Sequence, residues 1–316
     1  MLKKTIAILL CAVLALTLLA GCKSEPKETT DGLSVVCSVF PIYDFCRQVM
    51  GGDEHLTLLL DSKVDLHNFA PSADDIMTLS NADVFFYIGG ESDAWVDGSL
   101  ESAGNKDLMS VALMNAVNAV EETALPGMEE EEEEEDANEG PEMDEHIWTS
   151  LKNAQKMVAA ITETLSKADP DNAETYRANS EAYQKELAAL EQEYASAVET
   201  AKRKTLLFAD RFPFRYLQMD YGLDCYAAFS GCAAGGEASI DTINYLVSVV
   251  KEQNLPFILV IDGSTSEFAQ FISNETGAQI RMMNSCQSVG EIERENGMTY
   301  LSAMADNLAV LKEVLN

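Results

Sequence analysis

The feature that most restricts this chain is a long helical stretch in its middle, with strand-and-helix alternation on both sides. From Ala173 to about Arg203, Tyr183, Leu187, Leu190, Tyr194 and Ala197 recur at spacings of four, three, four and three. That is one apolar stripe on a single helix. Roughly 30 residues at a 1.5 Å rise span about 45 Å, enough to run the length of two lobes and join them once. The competing reading is one arm of an ordinary helical bundle. Ser150 to Ala168 is a second helical run, and Asp169-Pro170 separates the two.

Before this stretch, Leu33 to Phe40 is apolar and strand-like, and Pro41 opens a helical run to Met50 that Gly51-Gly52 stops. Leu56 to Leu60 reads as a short buried strand. Pro71 to Asp75 reads as a helix start, with proline in the first turn and acids near the positive end of the dipole. Ala82 to Ile88 is another strand, cut by Gly89-Gly90. After the long helix, strand-like Thr205–Ala209, Cys225–Ala228, Phe257–Ile261 and Ala278–Met283 alternate with helix-like Phe214–Tyr221, Ile240–Gln253, Ser266–Thr276 and Tyr300–Leu315. Such alternation predicts parallel sheets. The expected fold class is α/β: two α/β lobes with parallel sheets joined by one long backbone helix. The halves share an architecture, with no sequence repeat between them.

A formal charge of -32 excludes a nucleic-acid partner, since nothing here neutralises phosphates, and it favours cations as ligands. Much of the charge sits between Glu121 and Glu145, which holds fourteen acids and no basic residue, including seven consecutive glutamates (Glu129 to Glu135). Without them the charge would still be -18. Self-repulsion and the lack of hydrophobes predict a disordered loop.

Lys3, Lys4 and the apolar run Ile6 to Ala20 read as a processing signal, too short for a transmembrane helix. The run ends in Leu19-Ala20-Gly21-Cys22, which resembles a bacterial lipobox whose cysteine is lipidated. Two acyl chains anchor stably where one does not. The expected organisation is a signal peptide over 1–21, a lipid tether over 22–32, a first lobe over 33–168 with its acidic loop at 121–145, a linker helix over 169–203 and a second lobe over 204–316. Cys37, Cys46, Cys225, Cys232 and Cys286 remain beyond the signal and anchor. They form no C-x-x-C, which argues against a zinc–thiolate cluster. A Cys232–Cys286 disulfide and buried free thiols both stay open.

The chain has three histidines. His55 reads as a surface residue. His67 lies between a strand-like and a helix-like run, the kind of position that binds ligands in α/β sheets. His146 closes the acidic tract. Each neighbours an acid, Asp65 or Asp144, that could orient its ring toward a metal ion. Two unrelated histidines, one of them a loop cap, are the plainer reading of the spacing alone. In the second half, Asp210 and Asp262 each follow a strand-like run. Turn or cap aspartates explain both as simply as ligands do.

A series of motifs in order bears on these alternatives. Asp65-Leu66-His67-Asn68-Phe69-Ala70-Pro71-Ser72, followed by Asn81-Ala82-Asp83-Val84, resembles the first histidine motif of the metal-binding lipoproteins of zinc/manganese-type ABC importers. Asp144-Glu145-His146-Ile147-Trp148 resembles their second. Tyr221-Gly222-Leu223, Glu275-Thr276-Gly277-Ala278 and Thr299-Tyr300-Leu301 are also similar. The resemblance implies a metal site in the cleft between the lobes, with His67 and His146 as ligands. It also implies a monomeric receptor that delivers Zn2+, or alternatively Mn2+, to a membrane permease from the extracytoplasmic face of a bacterial membrane. Two departures matter. The family's histidine-rich loop is glutamate-rich here, and its third histidine has no counterpart, because none follows His146. Family spacing places that position on Arg211, with Asp210 just before it, and the final carboxylate near Asp262. The implied ligand set is therefore His67, His146, Asp210 and Asp262. Arg211 would either turn away and release Asp210 to the ion, or pair with Asp210 and leave water in its place.

Two other classes compete. A lipid-anchored metallohydrolase on His67, His146 and Asp210 would need an open coordination position and a base, and no H-E-x-x-H is present. A surface calcium buffer or adhesin would rest on the acidic tract, but calcium needs six to eight oxygens on a firm frame.

Overall fold

A computed structural model describes residues 32–61, 65–128, 141–232, 238–264, 267–287 and 289–316. The signal peptide, nearly all of the tether and Glu129 to Asp136 lie outside these residues. In the first half the elements are β1 (Val35–Cys37), α1 (Phe40–Met50), β2 (Leu56–Leu58), α2 (Ala73–Asn81), β3 (Val84–Tyr87), α3 (Trp95–Ala103) and β4 (Met109–Ala112). Two long helices follow, α4 (Leu151–Ala168) and α5 (Ala173–Glu199). The second half holds β5 (Thr205–Phe212), α6 (Arg215–Tyr221), β6 (Asp224–Ser230), α7 (Ile240–Gln253), β7 (Phe257–Ile261), α8 (Glu267–Thr276), β8 (Gln279–Met283), α9 (Glu291–Glu295) and α10 (Tyr300–Val314).

The strands form two parallel four-stranded sheets, β2-β1-β3-β4 and β6-β5-β7-β8. Both follow one order, with the first strand of each half inside and the second at the edge. In each sheet the chain reverses its direction of build between the first and third strands. The carboxyl ends beside that point are where open α/β sheets take ligands.

Local sequence explains the main boundaries. Pro41 sits in the first turn of α1, so the helix begins at Phe40 and the preceding strand is shorter than its apolar run. Ser72 and Asp75 form a reciprocal capping box that starts α2. On α5 the buried stripe is Tyr183, Leu187, Leu190, Tyr194 and Val198, so Val198 takes the place expected for Ala197.

Alternation along β5 shows how the core divides. Leu206 and Phe208 join the large cluster that also contains Val36 and Phe86 of the first sheet and Leu187 of α5. Leu207 and Ala209 face the other way, into a separate cluster with Leu246 and Ile272. Buried hydrogen bonds reinforce the shared core. The Tyr194 hydroxyl donates to the Met304 carbonyl at 2.6 Å, the Tyr300 hydroxyl to the Trp148 carbonyl at 2.6 Å, and the Trp148 indole to the Ser285 carbonyl at 2.7 Å.

The flanks of the acidic tract are ordered, which corrects the expectation of a disordered loop from Glu121 to Glu145. Glu121 and Met143 form an antiparallel bridge, the Asp144 amide donates to the Val120 carbonyl at 2.9 Å, and Asp144 and Glu145 are buried. Composition averaged over the tract hides this, because each buried carboxylate has a partner from elsewhere in the chain.

Candidate metal centre

His67 sits in a 3-10 turn, Leu66–Asn68, on the loop that leaves β2. Asp65 caps that turn by accepting from the His67 amide at 3.2 Å. The ring is oriented by other groups: Nδ1 lies 2.6 Å from Ser92 Oγ and 3.9 Å from Glu145 Oε2. Ser92 is itself held, its amide donating to Glu145 Oε1 at 2.7 Å. Gly90 makes room for this carboxylate. Its φ is +142°, and a Cβ there would run into Glu145 Oε1.

His146 is fully buried at the start of the turn Ile147–Thr149. One Asp144 oxygen accepts from its amide at 2.8 Å and lies 3.3 Å from its Nδ1. Arg215 stands 3.5 Å from the other Asp144 oxygen, and the Tyr216 hydroxyl donates to the Asp144 carbonyl at 2.6 Å. Thus α6 of the second lobe braces the loop that carries His146.

The two rings meet with centroids 5.4 Å apart, inclined at 52°. Nδ1 of each is engaged, and Nε2 of each is buried with no hydrogen bond. Engaging one ring nitrogen fixes the orientation in which the other can ligate. Burial, together with the neighbouring His146, pushes His67 down to about 4. Burial also disfavours charge on His146, but the hydrogen bond and charge of Asp144 outweigh it and raise that ring above its ordinary value. Burial raises Glu145.

Asp210 and Asp262 stand at the carboxyl ends of β5 and β7, beside the point where the second sheet changes direction. With Asp65 and Arg211 they line a cavity of about 570 Å³. Among the described residues, neither belongs to a group of three possible ligands within 4.8 Å of one another. Asp210 lies at an irregularity in β5, between Phe208 and Arg211, where the ladder to β6 shifts register. One oxygen accepts from the Arg211 amide at 2.8 Å and the other from the Ile261 amide at 3.2 Å. Its carboxylate thereby stands in for ladder acceptors lost at the bulge. Asp262 Oδ1 accepts from the Ser285 amide at 2.5 Å, and burial raises this carboxyl. Arg211 turns away from Asp210 and pairs with Asp65. Of the expected quartet, the rings of His67 and His146 come together, and Asp210 and Asp262 line the cavity beside Asp65 and Arg211.

Two ligand-type groups that sequence reasoning missed do assemble, His67–Glu145–Cys232 and Glu122–Glu142–Cys232, each within 4.8 Å. Cys232 follows β6, and its amide and that of Gly231 donate to Glu122 Oε1 at 3.3 and 2.7 Å. Gly231 lies so close to His146 that a Cβ would come within 3.0 Å of the ring. Cys232 and Cys286 are both free thiols. The available signal was position: Cys232 comes just past the carboxyl end of a strand, as His67 does.

The family described as "Zinc-uptake complex component A periplasmic" (ZnuA) matches residues 35–314. The chain belongs to this family. It is 31% identical over 313 residues to the zinc-binding lipoprotein AdcA of Streptococcus pneumoniae serotype 4, covering 98% of this chain and 61% of AdcA. It therefore spans less than two thirds of that relative. It is 30% identical over 296 residues to the high-affinity zinc uptake system protein ZnuA of Bacillus subtilis, covering 93% and 91% of the two chains. The Zn(II)-bound ZnuA-like domain of S. pneumoniae AdcA superposes with a TM-score of 0.73 at 29% identity, covering 90% of this chain and 98% of that one. The metal-dependent lipoprotein YcdH of B. subtilis gives 0.75 at 28% identity, covering 90% and 99%. The solved ZnuA-like domain of AdcA and YcdH share this chain's two-lobed α/β fold, and the relatives are named for zinc binding and zinc uptake.

Proposed function

We propose that the chain is the zinc receptor of an ABC importer. In this reading it is an extracytoplasmic protein that holds the ion between its lobes and hands it to a membrane permease. One observation carries the proposal: two buried ring nitrogens without partners, His67 Nε2 and His146 Nε2, on rings whose centroids are 5.4 Å apart. Each buried, unsatisfied polar atom costs on the order of 1–3 kcal/mol, and a borderline cation satisfies both nitrogens at once. Imidazole favours zinc over manganese by the general divalent series, and the ZnuA-type relatives are named for zinc. A manganese receptor of the same family is the alternative.

A metallohydrolase on His67, His146 and Asp210 has less support, because Asp210 is committed to two backbone amides. Asp210 and Asp262 are better supported as cavity wall than as ligands. Anchoring through lipidated Cys22 rests on the Leu19–Cys22 box, which lies outside the described residues. The receptor is taken to act as a monomer.

Competition against a chromophoric chelator tests this reading. The wild-type chain should bind one zinc ion tightly, and His67→Ala or His146→Ala should weaken binding strongly. Unchanged zinc affinity in His146→Ala would remove the site.

A further inference from the structure

The first lobe presents the imidazoles of His67 and His146 and the buried carboxylate of Glu145. The second lobe has no histidine, and among the described residues its two candidate aspartates, like His146, lie outside the ligand groups; His146 is placed beside His67 by their ring contact, centroids 5.4 Å apart. Cys232 is the second-lobe side chain that does reach the cluster, within 4.8 Å of ligand atoms on His67 and Glu145. Three further observations point the same way. His146 Nε2 and Glu145 Oε2, both deeply buried, have no hydrogen-bond partner. The Cys232 backbone is held in place, with Glu122 Oε1 accepting from two consecutive amides. Residue 231 is glycine where any Cβ would press on the His146 ring and on the Phe212 carbonyl, 2.9 Å away. This loop is built to lie against the histidines.

We propose that Cys232 is the ligand the second lobe contributes, its sulfur joining His67, His146 and Glu145 around the ion. The proposal rests on the receptor reading above and names the residue that stands in for the absent histidine. As the metal–sulfur bond forms, the S–H bond breaks and its proton leaves to solvent. One thiolate, one carboxylate and two neutral imidazoles cancel a divalent charge, which suits a buried ion. A four-coordinate set of two nitrogens, one oxygen and one sulfur is ordinary zinc chemistry. A soft thiolate discriminates against manganese, which prefers oxygen ligands. Cys232 is thus also a specificity-determining residue.

Cobalt(II) substitution of the full chain reads the sulfur directly, because a thiolate bound to cobalt gives a near-ultraviolet charge-transfer band. The wild-type chain should show the band, and Cys232→Ser should lose it. The other described cysteines, Cys37, Cys46, Cys225 and Cys286, are buried away from the ligand groups and act as internal controls. Cys232→Ser should lose at least about tenfold in zinc affinity, since even supporting residues cost that much. Its preference for zinc over manganese should narrow, while Asp210→Asn and Asp262→Asn keep the band. Circular dichroism verifies folding of each variant. If Cys232→Ser fails to fold, protection of Cys232 from alkylation by zinc in the wild-type chain decides, and lack of protection overturns the proposal. A wild-type chain that binds zinc tightly with no thiolate band on cobalt would overturn Cys232 and leave the receptor standing. A wild-type chain that binds no zinc would bring down both.

Discussion

Asp65 and Arg211 join the two lobes beside the histidine pair: an Arg211 guanidinium nitrogen lies 2.6 Å from an Asp65 oxygen. The other Asp65 oxygen accepts from the Gln287 side chain at 2.8 Å and from the His67 amide. Burial works to raise Asp65, but the Arg211 charge outweighs it and holds the carboxyl below its usual range. The motif's first acid thus ties the His67 turn to the opposite lobe.

That pairing changes what Asp210 should do. Because Arg211 is engaged by Asp65 and the Asp210 oxygens by amides, Asp210→Asn should act on stability and not on the ion. Replacing one acceptor oxygen by a donor should cost about 1–2 kcal/mol, seen in a denaturant midpoint. Zinc affinity of the folded variant should stay within a few-fold of wild type. A hundredfold loss would place Asp210 on the metal.

The acidic tract should gather cations without forming the tight site. Its flanks are joined by the Glu121–Met143 bridge, so the intervening glutamates can be shortened without moving His146. Deleting Glu129 to Asp136 should slow zinc capture at low salt, with the difference vanishing as salt screens charge over about 8–10 Å. Stopped-flow capture at two ionic strengths checks this. A collapse of equilibrium affinity would put tract carboxylates on the ion.

Ion binding should move the lobes little. The Trp148–Ser285 and Tyr300–Trp148 hydrogen bonds are buried, and breaking them to open the lobes would leave polar groups unsatisfied. X-ray scattering of metal-free and zinc-loaded protein should give closely similar radii of gyration. A marked compaction would contradict this.

The two site histidines should titrate in opposite directions in metal-free protein. His67, at about 4, stays neutral where an ordinary histidine, at 6.5, takes a proton. The unfolded chain therefore binds that proton first, and His67 costs stability as pH falls from 6.5 toward about 4. His146 is raised, so its contribution is present in acid and is lost as pH rises through its folded value. Ring-proton NMR should show one midpoint on each side of 6.5. Coincident titration of both rings would refute the assignment.

What could be read from the chain alone was what local pattern encodes. The apolar stripe of α5 and the strand–helix alternation determined the two-lobed plan, and histidine scarcity drew attention to His67 and His146. Strand β4, Met109–Ala112, escaped because its short run is mixed in polarity. Helix α3 carries Gly98 mid-span, which lowers its intrinsic signal. Glu145 was hidden inside an acidic tract, since its burial depends on Ser92 and Gly90. Local spacing sets Asp65 at the His67 ring, where Ser92 stands, because a partner such as Arg211 leaves no mark in local spacing.

The alternation of Leu206 and Phe208 against Leu207 and Ala209 has a consequence for modularity. The first pair completes a core begun in the other half of the chain. Cutting the molecule at α5 would divide that cluster, which includes Val36 and Phe86 of the first sheet, Leu187 of α5, and Leu206 and Phe208 of β5. The halves repeat one strand order, yet neither is an excisable part, and heat should melt them in a single transition.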